Sequence, residues 1–185
     1  DWKVDVSVGG SQKGMMLPPG MSFNAISEKA LEASKTAKLP KCYWEWNDML
    51  SANQNGFFPY TPATCLFYAL DEALNIVDEQ GLDNIIARHE RHAEATRRAV
   101  QAWGLELVCA DPREYSSSLT SIFVPEGYSA NALRAQILDR FDLSLGTGLA
   151  RLADRVFRIG HLGDLNDLTL LGAISGVEMG LKIEG

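Results

Sequence analysis

The chain opens almost at once on an apolar strand, residues 4–8, which runs into Gly9-Gly10-Ser11-Gln12-Lys13-Gly14 and then into a rigid Pro18-Pro19-Gly20 turn. This order leaves little freedom. Near-continuous apolar strands belong in the middle of parallel sheets, with neighbours on both sides. Few candidate strands lie nearby to provide them, so the chain is expected to be the C-terminal part of a longer protein. A lysine at the end of such a strand sits where a carbonyl compound can reach its amine. Positioned and partly desolvated, lysine becomes a nucleophile whose usual chemistry is Schiff-base formation. Alone, Lys13 reads as an ordinary surface residue beside a glycine turn; later segments reverse that reading. A P-loop is excluded, because Gly must directly precede its Lys and here the neighbour is Gln12.

Downstream, Ser22–Ile26 reads as a short strand and Ser27 as the N-cap of a helix to about residue 37. Residues 39–56 combine Pro40, the run Tyr43-Trp44-Glu45-Trp46 and a polar Asn53-Gln54-Asn55-Gly56 turn, a connection that covers a site or simply packs as a loop. Thr61-Pro62 reads as a helix start, Thr at the cap and Pro at the first position. Leu66, Ala69, Leu70, Ala73, Ile76 and Val77 form its apolar stripe, which ends before Gly81. Asp83 is the expected cap of a second helix, closed by Gly104. The boundary between a larger and a smaller domain is placed within that long helix, giving segments 1–90 and 91–185. Residues 105–109, 119–124 and 156–159 read as strands, Ser129 as the cap of a helix through Phe141, and Asp164 as the cap of the last helix. The alternation implies an α/β sheet followed by a smaller α+β unit.

A net charge of −7 argues against nucleic acid or an anionic membrane as partner. No apolar stretch is long enough to span a bilayer. Three scattered cysteines, Cys42, Cys65 and Cys109, suggest reduced thiols and a cytoplasmic setting. His89 and His92 lie on one helix with Glu90 and Glu94, but no Cys or third His completes a zinc site, and the set reads as a solvated charged face. No metal is expected. Gly172, Gly176 and Gly180 form a small-residue stripe that reads as close packing in a core, because Asp167 and Glu178 interrupt the apolar run.

Gly10-Ser11-Gln12-Lys13-Gly14 followed by Pro18-Pro19-Gly20 closely resembles the pyridoxal-phosphate lysine segment of the class V aminotransferases, and within them the serine–glyoxylate and alanine–glyoxylate group. Residues 57–62, Phe-Phe-Pro-Tyr-Thr-Pro, resemble the family segment that reaches across a dimer into the neighbour's cofactor site. Val156-Phe157-Arg158-Ile159-Gly160 resembles the family's C-terminal Arg-Ile-Gly motif. The resemblance implies the C-terminal part of a fold-type-I pyridoxal-phosphate transferase: the end of the large mixed-sheet domain plus a small α+β domain. It implies pyridoxal 5′-phosphate as cofactor, Lys13 as its covalent anchor and proton shuttle, and Gln12 and Thr61 as phosphate contacts. A threonine hydroxyl at a helix N-terminus suits an anion. Arg158 becomes the group that grips the substrate carboxylate, since a guanidinium fork matches a carboxylate with two parallel hydrogen bonds.

The function so implied is transamination with glyoxylate as acceptor and serine or alanine as donor, in a homodimer. In the family, the residue that pairs with the pyridinium nitrogen, the aromatic that stacks on the ring and a phosphate loop all precede the lysine strand. This chain alone is therefore expected to be inactive. Two alternatives stand beside that reading. One is another class V reaction such as a lyase or desulfurase, against which Gln12 stands before the lysine and Ser144-Leu145-Gly146-Thr147-Gly148 lacks a Cys. The other is a non-catalytic fragment that retains half a site.

Overall fold

Extended backbone continues through both early glycines because a second strand supplies partners for them. β1 (Val6–Gly10) pairs antiparallel with β2 (Ser22–Ile26), Val6 facing Ile26 and Gly10 facing Ser22. β1 thus begins two residues later than expected and ends two residues later. Its side chains are exposed rather than buried, Val8 at 67 %. β2 is its one strand partner among the described residues, which are 2–184 of this computed structural model.

Ser27 does cap α1 (Glu28–Ser34), its hydroxyl accepting from the Ala30 N–H. Asp5 fixes this entrance: Ser27 Oγ donates to it at 2.8 Å and Lys29 pairs with it at 2.7 Å. Beyond Ser34 the chain continues in tighter three-residue turns, Thr36 N–H to Ala33 O and Ala37 N–H to Ser34 O, so the helix proper is shorter than expected. The expected connection at 39–56 contains a helix of its own, α2 (Trp46–Asn53), capped by the Glu45 carboxylate through the Asn47 N–H.

α3 (Thr64–Gln80) corrects the reading of Thr61-Pro62 as a helix start. The first turn closes with Leu66 N–H on Ala63 O, so Thr61 and Pro62 are the extended approach to the helix and not its cap. α4 (Leu82–Ala102) follows after Gly81, whose backbone sits at φ +79°, and no side chain caps it; Asp83 lies inside the first turn, where a carboxylate complements the helix dipole. The chain falls into two compact units, one through Ile76 and one from Val77 onward.

In the second unit a three-stranded antiparallel sheet runs in the order β3 (Leu119–Phe123), β5 (Val156–Gly160), β4 (Gly146–Thr147). The strand expected at 105–109 is reduced to a bridge between Leu107 and Ile122 plus two flanking bonds, Phe123 N–H to Glu106 O and Val108 N–H to Ser121 O. Cys109 therefore lies outside any strand and is only half-buried. α5 (Ala130–Phe141) is capped by Ser129 as expected. α6 (Asp167–Glu184) is capped not by Asp164 but by Asn166, whose Oδ1 accepts from the Thr169 N–H. Asp164 is drawn off to Gln80 and Arg88 instead. The core gathers Val100, Ile122, Leu133, Ile137, Phe157, Ile159 and Val177 from these helices and strands. Two of the three stripe glycines serve close helix packing: a Cβ on Gly176 would meet Leu143 at 2.8 Å, and one on Gly180 would strike Ile137. A Cβ on Gly172 would meet nothing within 4 Å. Among the described residues no helix is long and apolar enough to cross a membrane.

Candidate active site

Ser11 organises the turn that carries Lys13. It is fully buried, and its hydroxyl donates to Pro18 O at 2.8 Å while accepting from the Met21 N–H at 3.2 Å. Its backbone closes the same loop: Ser11 N–H donates to Met21 O at 3.0 Å, and Leu17 N–H donates to Ser11 O at 3.1 Å. Leu17 is buried beside this knot, so the segment 11–17 is pinned at both ends. Between the pins, Gln12 and Lys13 stand next to one another on the turn, both exposed. Lys13 O accepts from the Met16 N–H at 2.9 Å, and among the described residues its amine has no ion pair and no hydrogen bond. An amine held on a fixed turn and left without a partner is available for covalent chemistry. Sequence reasoning singled out the lysine and missed the serine that holds it; the signal for Ser11 lies in its contacts with Pro18 and Met21, which no local pattern reveals.

Thr61 is exposed and lines an open cleft of about 500 Å³ with Phe57, Phe58, Tyr60, Thr64 and Phe67. The ring of Phe58 packs on Phe67, centroids 5.2 Å apart. Tyr60 leans on Tyr43 at 5.1 Å, and its hydroxyl meets the Cys42 thiol at 3.4 Å. That thiol holds the Tyr60 phenol above its ordinary range. Tyr60 is thus engaged locally, which leaves Thr61 as the free hydroxyl of this segment.

Arg158 belongs to the second unit. It lies on β5, the central strand, and not on an edge. Its neighbours Phe157 and Ile159 point into the core, and alternation along the strand turns Arg158 to the opposite face. Four arginines of the described residues are half-buried: Arg88, Arg97, Arg134 and Arg158. Arg88 and Arg97 pair with Asp164 and Glu94, and Arg134 donates to Leu145 O at 2.9 Å. The Nε atoms of Arg88, Arg97 and Arg158 are all buried without an acceptor, but Arg158 alone among the four arginines has no ion pair and no hydrogen bond at any other atom. Half-buried charges are normally paired, because leaving water without a partner is costly. A guanidinium kept in this condition is one prepared to receive an anion.

The strand that carries Arg158 is fixed at its exit. His161 is fully buried; its Nδ1 donates to Ser117 O at 3.1 Å and its Nε2 accepts from Thr120 Oγ1 at 2.9 Å. Burial pushes its proton affinity below the ordinary imidazole range. Two residues on, the Gly163 N–H donates to His89 Nε2 at 3.1 Å, while His92 Nε2 meets Asp167 at 2.7 Å. These contacts correct the reading of His89 and His92 as a solvated face. His92 is buried; His89 ties α4 to the segment between β5 and α6, and His92 ties it to the first residue of α6.

The family Aminotransferase class-V matches the chain over residues 1–153. The chain is 46 % identical over its whole length to a serine–glyoxylate aminotransferase of Methylorubrum extorquens, covering 47 % of that protein. It is 44 % identical over 97 % of its length to an L-aspartate–glyoxylate aminotransferase of Paracoccus denitrificans, covering 45 % of it. The chain therefore spans about half the length of the curated relatives it matches. Among solved structures, a pyridoxamine–pyruvate aminotransferase of Mesorhizobium loti superposes with a TM-score of 0.92 at 28 % identity, over 98 % of this chain and 47 % of that one. The expected fold class, part of the fold-type-I architecture, is borne out by this likeness.

Proposed function

The chain belongs to the class V aminotransferases, and from that membership we propose that it forms part of an enzyme moving an amino group from an α-amino acid to glyoxylate, with serine as the leading donor. Pyridoxal 5′-phosphate is the proposed cofactor. When bound, it supplies an electrophilic carbon and an electron-withdrawing ring that stabilises charge at the substrate Cα. The residues present fit such a group: an unpartnered amine on a pinned turn, an adjacent amide side chain, a free hydroxyl and a half-buried guanidinium without an anion.

The observation that carries the reading is the unpaired Arg158. Both substrates of the proposed reaction, an amino acid and a 2-oxo acid, present the same carboxylate. A fixed fork would hold either in one orientation, which reduces a two-substrate reaction to one binding geometry. Lys13 would hold the cofactor covalently and then, once displaced, take the proton from the substrate Cα and deliver it to the electrophilic carbon of the cofactor, on the other side of the shared nitrogen, serving in turn as base and acid. Gln12 and Thr61 would donate to the cofactor phosphate through an amide and a hydroxyl. The partner is proposed to be a second copy of the chain, with Thr61 serving the neighbouring site. Serine leads because of the relative from Methylorubrum extorquens; the aspartate-using relative makes donor choice a matter for assay.

The expected outcome of borohydride treatment of the cofactor-loaded full protein, followed by peptide mapping, is a pyridoxyl group on Lys13. A label on another lysine rejects the assignment. Turnover of serine, alanine and aspartate against glyoxylate then ranks the donors.

A further inference from the structure

We propose that Gly146 is a positioning residue for carboxylate binding: the absence of a side chain on β4 is what sets the aim of Arg158. The inference rests on the reading of Arg158 as the carboxylate grip and adds a second position to it. Gly146 is the direct cross-strand partner of Arg158 in the β4–β5 ladder. Opposed residues in antiparallel strands share a face, so their side chains compete for the same space. A Cβ built on Gly146 would lie 3.1 Å from Arg158 Cβ and 3.2 Å from Arg158 Nε. The guanidinium root therefore lies over the glycine itself. Its Nε is fully covered there and has no acceptor, so the side chain is laid down along β4 by packing and not by a hydrogen bond.

The geometry limits what an added methyl group would disturb. Gly146 is not among the residues in left-handed conformation, so alanine is acceptable to its backbone. The third nearest atom, Arg158 O, is at 3.5 Å, an ordinary contact. Arg158 is thus the group that must yield. Arg158 Cβ moves only with its strand, so that contact is eased by a shift of a few tenths of an ångström between β4 and β5; Nε, which no partner anchors, yields by swinging away, and the fork leaves the direction in which it faces now. Gly172, on α6 and outside the proposed site, offers an internal control, since a Cβ there would meet nothing within 4 Å.

The test uses the full-length protein and two readouts. The first is equilibrium binding of glycolate, which carries the carboxylate of glyoxylate without its reactive carbonyl, to the cofactor-free protein by calorimetry. The second is the division of steady-state effects between KM and kcat. Gly146→Ala is expected to weaken glycolate binding by about ten-fold, the order expected when a charge-assisted contact is misdirected, and to raise KM for both substrates with little change in kcat. Gly172→Ala is expected to leave both unchanged. Arg158→Lys is measured in parallel. If it weakens glycolate binding and Gly146→Ala does not, the inference fails and the reading of Arg158 stands. If Arg158→Lys binds glycolate as tightly as the parent, the reading fails and the inference falls with it. Should Gly146→Ala prove unstable, its melting is compared with that of Gly146→Ala/Arg158→Ala. Recovery of stability on removing the arginine side chain supports the collision; no recovery overturns it.

Discussion

His161 has no free lone pair and no free proton. Ser117 O requires a proton on Nδ1, while the Thr120 hydroxyl can donate to Nε2 or accept from it, so burial and not the hydrogen-bond pattern is what disfavours the cation. Burial lowers its proton affinity in the folded chain. As pH falls through about 6.5 an unfolded chain takes up a proton that the fold refuses, so the stability contributed by the neutral ring is complete above that value and is lost as pH drops through the lower folded value. The expected result is a wild-type protein that loses stability between pH 7.5 and 5.5 in urea unfolding, with a smaller loss in His161→Gln. Equal pH dependence in the two proteins would show that the ring does not titrate with folding. Lys13 and Arg158 were legible from sequence because each sits inside a contiguous string of distinctive residues. Ser11, Gly146 and His161 were not assigned a role, because what makes each matter is a partner ten or more positions away.

At the scale of elements, α6 carries its own control experiment. Gly180 and Gly176 are buried where α6 meets Ile137 and Leu143, whereas Gly172 faces open space. Gly180→Ala is expected to cost about 1–3 kcal/mol through overpacking. Gly172→Ala is expected to stabilise by up to about 1 kcal/mol, since alanine loses less backbone entropy in a helix. Chemical denaturation of the two variants checks the opposite signs; equal effects would mean that the helices adjust freely. The stripe was visible as spacing, but spacing assigns the three glycines one role, and only the facing helix separates them. The same limit explains the caps. Ser27 and Ser129 were read correctly because a serine before a helical run has few competing uses. Thr61, Asp83 and Asp164 were misread because Ala63, Gly81 and Asn166 lay within two residues of them and took the boundary. α2 was hidden behind aromatic residues and a proline that read as a connection.

The whole molecule is proposed to be a dimer in which residues 57–62 serve the neighbouring site. Their aromatic side chains are exposed, Phe57 at 70 %, which suits a surface that another chain covers. Full-length Lys13→Ala and Thr61→Ala are each expected to be impaired, and mixing them under conditions of demonstrated subunit exchange should restore one intact site in each mixed dimer. Absence of recovery would mean that each chain builds its site from its own residues. Arg158 has a consequence at this scale as well. A fold that keeps a half-buried cation without a counter-ion is less stable empty than filled, and any carboxylate that binds there draws the population away from unfolded forms. Cellular proteases act on those forms, so the lifetime of the enzyme would lengthen when its substrates are plentiful and shorten when they run out. Supply of amino donor would then regulate the amount of catalyst through degradation, with no dedicated sensor.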